Sequence, residues 1–172
     1  MMVKNKIIYL LLITLSLSFI GISQSFADTK GTLVLNGYVE EIPTSFYGTW
    51  RVVASLIDTD APLAFKEKSL DLWNLTRTND VITLSNPFNG AKADIVIDSV
   101  NNSEIVFRKS GKYDDKLLTD TVKIKLSGDS FTGVDYLRLD TYSGVNGKII
   151  KTETAKYSLK GEKIAGQSVI EN

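Results

Sequence analysis

Residues 117–142 read LLTDTVKIKLSGDSFTGVDYLRLDTY. In the first half, Thr119, Thr121, Lys123 and Lys125 share one parity while Val122, Ile124 and Leu126 share the other. A period of two marks a strand with one wet face and one buried face. In the second half Leu137 and Leu139 oppose Arg138 and Asp140. Between the halves, Gly128-Asp129 suits a two-residue hairpin turn, whose central residues need positive φ angles that Gly, Asn and Asp adopt at little cost. Such a turn fixes the register. Leu126 then faces Phe131, Val122 faces Asp135, and Asp120 faces Leu137.

The same pattern extends outward in both directions. Strands are expected at 50–57, 70–77, 81–85, 91–100, 104–109, 117–127, 130–142 and 148–160. Turn residues separate them at Thr78-Asn79-Asp80, Asn89-Gly90, Asn101-Asn102, Ser110-Gly111 and Asn146-Gly147. The one long connection is the polar stretch 58–68, which contains Pro62. Gly161-Glu162 reads as a further turn, with 163–170 returning as a short ninth strand. Consecutive hairpins make antiparallel neighbours, so the expected fold is all-β, an antiparallel up-and-down barrel of about eight strands. A β-sandwich is the runner-up, but it calls for longer crossovers than these.

Parity also assigns faces in the flanking strands. Ala91, Ala93, Ile95 and Ile97 oppose Lys92, Asp94 and Asp98; Ile105 and Phe107 oppose Glu104, Val106 and Arg108. Ala155, Tyr157 and Leu159 oppose Lys156 and Lys160. The interior read this way mixes aliphatic and small residues with few large aromatics, and it is either packed solid or hollow. Trp73 belongs to the core or to a pocket mouth. Asp120 and Asp135 carry inward parity on adjacent strands, as diagonal neighbours. Buried carboxylates are costly unless paired, so the ordinary reading is a bulge or an open rim that lets each reach water. The alternative is a polar floor or mouth contact for a ligand.

The ends of the chain read differently. Lys4 and Lys6 precede an uncharged run over 7–22, and Ser25-Phe26-Ala27 places small residues where a signal peptidase reads. Residues 1–27 are therefore expected to be a signal peptide, with no transmembrane segment after its removal. A retained membrane anchor is the competing reading of that run. Cleavage leaves 145 residues with 18 basic and 20 acidic groups, a length that suits one domain. Residues 28–47 form an N-terminal segment in which 32–39, around Asn36-Gly37, read as a small hairpin or an added edge strand. Residues 48–170 form the barrel domain.

Composition excludes several functions. The chain holds no His and no Cys, and its two Met are Met1 and Met2. A Ser-His-Asp triad, a Cys nucleophile and a thiolate or imidazole metal site are ruled out. Near-neutral charge argues against nucleic acid, whose binders concentrate basic surface. Acidic pairs such as Asp58/Asp60 and Asp114/Asp115 lack the spacing of a calcium loop and read as solvated turns. No metal and no cofactor is expected.

Phe46-Tyr47-Gly48-Thr49-Trp50-Arg51-Val52 contains a G-x-W element just ahead of the first strong strand. With the eight-strand meander and the long first connection, it resembles the opening of lipocalins and related calycin barrels. That resemblance implies structural roles for Gly48 and Trp50, with Trp50 packing across the closed end, residues 41–47 as the approach turn, and 58–68 as a lid. The sequence departs from the family in three places. Leu118-Thr119-Asp120-Thr121 lacks the aromatic of the T-D-Y-type motif, no C-terminal helix is apparent, and no Arg follows Arg138, so a Lys would have to cover the Trp.

Two functions follow as expectations. The first is an exported, noncatalytic lipocalin-like protein, periplasmic or extracellular, that binds a small apolar or amphipathic molecule. Its candidate lining is Val52, Ala54, Trp73, Ala93, Ile95, Ile97, Phe107, Asp120, Val122, Asp135, Leu137 and Tyr157. The second is an envelope structural or protein-interaction module with a filled core and a protein partner. A cavity of about 300 Å³ or more separates the first from the second.

Overall fold

A computed structural model describes residues 41–166 and 169–170. The expected leader and the segment 32–39 lie outside the described residues. The strands are β1 (Gly48–Thr59), β2 (Lys68–Thr78), β3 (Val81–Ser85), β4 (Lys92–Asn101), β5 (Glu104–Tyr113), β6 (Lys116–Ser127), β7 (Ser130–Tyr142), β8 (Ile149–Ala165) and β9 (Val169–Ile170). Each of β1 to β8 pairs antiparallel with its chain neighbours, and β8 returns to pair with β1. The result is an all-β, barrel-like closed ring of eight antiparallel strands. Closure pairs most of the strand backbone on both sides, although Lys68–Trp73, Lys109–Tyr113 and Ile149–Thr154 each lack a ladder partner on one side. No helix among the described residues is long and apolar enough to cross a membrane.

The Gly128-Asp129 hairpin has the expected register, with Leu126 opposite Phe131, Val122 opposite Asp135 and Asp120 opposite Leu137. Three features differ from expectation. Ser110-Gly111 is not a turn: β5 runs on to Tyr113, and the chain reverses at Asp114-Asp115, where Asp114 adopts φ 44°. Gly161-Glu162 is not a turn either, because β8 continues to Ala165. A Cβ on Gly161 would lie 2.1–2.5 Å from the Phe131 ring, so this glycine marks a close approach of ring to backbone. Among the described residues the ninth strand is Val169–Ile170, and it pairs parallel with Arg77 and Thr78 of β2.

The interior is richer in aromatics than parity alone implies. Phe46, Tyr47, Trp50, Phe65, Trp73, Phe107, Phe131 and Tyr157 are all buried. Phe131 packs against both indoles, with centroids 5.1 Å from Trp50 and 5.9 Å from Trp73. Phe46, from one turn of 3₁₀ helix over Thr44–Phe46, meets Phe107 edge-on at 5.9 Å. Each such ring stabilises the fold by roughly 1.5–3 kcal/mol through burial alone. Phe46, Tyr47, Trp50 and Phe131, with their ring neighbours Trp73 and Phe107, seal the end of the ring where β1 begins. Gly48 enters that end at φ +121°, and a side chain there would strike the Gly166 carbonyl oxygen at 2.2 Å. Trp50 donates its indole N–H to the Phe46 carbonyl (2.9 Å), and the Lys163 ammonium sits 5.0 Å above its ring.

Candidate functional site

Alternation along the meander sends four connections to the end opposite the aromatic seal. These are 60–67, 86–91, 114–115 and 143–148. The first folds over the ring. Phe65 is buried, Ala61 and Ala64 pack on the core, and the Leu56 amide donates to the Glu67 carbonyl at 2.8 Å. The Tyr157 hydroxyl, from inside the ring, donates to the Lys66 carbonyl at 2.9 Å.

Beneath this loop lies a polar cluster. Asp71 (β2), Lys109 (β5), Asp120 (β6) and Asp135 (β7) line a cavity of about 30 Å³ with Val52, Ala54, Ser69, Trp73, Leu137 and Leu159. Lys109 and Asp120 are directly opposed in the β5–β6 ladder and form an ion pair. Asp71 is satisfied: Oδ1 accepts from the Leu72 amide and the Asn86 side-chain amide, and Oδ2 accepts from the Trp73 indole N–H. Asp120 and Asp135, only 3% and 7% exposed, each keep one oxygen, Oδ1, without a partner. The β6–β7 register is unbroken between them. The expected bulge or wet rim is therefore absent, and both carboxyls point into the closed interior.

Burial governs the electrostatics. It pushes Asp135 up to about 6, against the opposing pull of Lys109. It raises Asp71 as well, less its hydrogen bonds and the Lys109 charge. The Lys109 ammonium is drawn below its usual range by burial, while Asp135 and Asp71 act to restore it. Tyr157, directly opposite Asp135 in the β7–β8 ladder, is pushed up to about 12 by burial and then by that carboxyl.

Of the residues read from sequence as lining, Val52, Ala54, Trp73, Asp120, Asp135 and Leu137 reach the cavity. Ile95, Ile97, Phe107, Val122 and Tyr157 are buried in the core outside the lining of this cavity, and Ala93 is half-buried opposite Leu84. Lys109 and Asp71 join the cluster without having been expected there. Both have a signal in the sequence, because Lys109 shares parity with Phe107 and Asp71 with Trp73.

The loop end also carries open recesses. One of about 520 Å³ lies between the 114–115 and 143–148 turns, lined by Lys112, Asp114, Asp115, Leu117, Tyr142, Ser143, Gly144 and Gly147. A second, about 490 Å³, lies between residues 60–64 and 151–153. Leu63 and Val145 beside them are 99% and 96% exposed, and Phe88 in the 86–91 connection is 84% exposed. Among the described residues, no group of three or more Asp and Glu side chains is arranged to hold a metal ion. No protein-family model, curated protein or solved structure matches the chain.

Proposed function

We propose that this protein is an exported, noncatalytic interaction module, lipocalin-like in layout, that contacts a protein partner through its loop end. The observation that carries this reading is the small size of the cavity that the described residues line at the polar cluster inside the ring. About 30 Å³ holds roughly two water molecules at 10–15 Å³ each, against about 300 Å³ or more for a small-molecule pocket. The space is also lined by charge, which an apolar guest would have to desolvate. Apolar side chains left in water at three of the four loop-end connections supply the contact surface.

The lipocalin-like layout draws support from Gly48 and Trp50 at the closed end, the 3₁₀ turn before them, and Lys163 over the indole where the family places an Arg. Export draws support from Lys4, Lys6, the apolar run over 7–22 and Ser25-Phe26-Ala27. A second reading, a small amphipathic ligand, is favoured by one feature, the recess beside Leu117 and Tyr142.

The two readings separate on one preparation. A photo-crosslinking residue placed at Leu63 or Val145 should capture one recurrent protein in the native envelope, and Asp129 at the opposite end should not. Native mass spectrometry of the purified protein should give the bare mass. A copurifying lipid or metabolite, or equal capture from both ends, would overturn the interaction reading.

A further inference from the structure

Asp135 is buried and faced by side chains from several strands of the ring. Asp71 faces it from β2, Lys109 from β5, Asp120 from β6 and Tyr157 from β8. β1 offers only Val52 and Ala54, and β3 and β4 contribute the buried apolar side chains Ile82, Leu84, Ile95 and Ile97. Two unpartnered carboxylate oxygens therefore share a cavity with one ammonium, which is already paired with Asp120. A further full negative charge there, beside Asp71 and Asp120, requires more water than about 30 Å³ admits. The aromatic cluster blocks one end. At the other the β1–β2 loop covers the ring with the buried Phe65, leads directly into Ser69 and Asp71 of the cavity wall, and is tied down by Tyr157, the residue opposite Asp135.

We propose that the interior is a pH-operated latch: ionisation of Asp135 draws water into the ring, and the β1–β2 loop releases to admit it. The two states differ in what surrounds one carboxyl, and linkage then requires loop opening and proton loss to favour each other. With Asp135 near 6 when enclosed and at the ordinary 3.8 when hydrated, the ratio of open to closed loop rises with pH. It rises by up to roughly a hundredfold between pH 4 and 7, at tenfold per pKa unit.

Amide exchange tests this on the whole protein, with protection factors corrected for the intrinsic pH dependence of exchange. The Leu56 and Ala64 amides, bonded to the Glu67 and Ala61 carbonyls, are the reporters. Their protection should fall by ten- to a hundredfold from pH 4 to 7 in the native protein and stay flat in Asp135→Asn. Tyr157→Phe should lower it across the whole range. Constant protection in the native protein, an equal fall in Asp135→Asn, or a fall shared by the β6 and β7 amides would overturn the latch. Carboxyl NMR titration of the native protein provides a check that needs no variant. An Asp135 midpoint at the ordinary value while the loop stays protected would also overturn it.

Discussion

Gly161 lacks a side chain because Phe131 occupies the place one would fill. The ring is buried and packed against both Trp50 and Trp73, so it has little room to retreat. Gly161→Ala therefore forces overpacking in the core, and a loss of about 1–3 kcal/mol is expected in chemical denaturation. Glycine in a sequence is ambiguous between a turn and a close approach. Gly161-Glu162 reads as a turn from composition alone, and only the position of an aromatic thirty residues earlier in the chain decides otherwise. Lys163 is a similar case. Its ammonium donates to the Ser45 carbonyl at 2.7 Å while covering the Trp50 ring, a pairing that depends on β8 continuing past Gly161. A contact of this kind is typically worth about 0.5–1 kcal/mol.

At the scale of elements, strand faces are the most legible feature, because burial on one side imposes a period of two that a single sequence displays. The Gly128-Asp129 turn propagates one register along all of β6 and β7, so the inward pairing of Asp120 and Asp135 is legible from the position of that turn and the alternation around it. Lys109 is hidden for the opposite reason. Ser110-Gly111 resembles a strand end, and a lysine at a strand end is ordinarily a solvated residue. In the ring, β5 extends four residues further and places Lys109 across from Asp120. This pair lends itself to a direct test. Lys109→Met leaves the three carboxyls of the cluster without their cation and should lower stability by roughly 3–5 kcal/mol. Lys109→Met combined with Asp120→Leu removes both charges and should recover most of that loss in urea denaturation. If the double variant were no more stable than the single one, the cost would lie in packing.

For the whole molecule, the interior sets both what the ring holds and how its stability varies with pH. A barrel-like ring with an apolar lumen is one of two outcomes open to the sequence, since parity reports which side chains turn inward but not how much space they leave. Large aromatics at one end and an ion cluster at the other fill that space. The cluster imposes a distinctive pH dependence. A carboxyl whose folded pKa lies above its unfolded value binds its proton more tightly in the folded state. Its contribution is therefore largest below the unfolded pKa and is lost as pH rises through the folded one. For Asp135 that window runs from about 3.8 to about 6. Asp140, held low by hydrogen bonds from Arg138 and Thr152, acts oppositely and loses its contribution as pH falls. Raw stability curves thus combine opposing slopes, and the informative quantity is the native protein minus Asp135→Asn. That difference should decline from pH 4 to 6.5 by at most about 3 kcal/mol, at 1.36 kcal/mol per unit. It should then level off. A difference that instead rises with pH across the same range would mean that Asp135 is stabilised as the anion by Lys109, and that the ion pair outweighs burial in this interior.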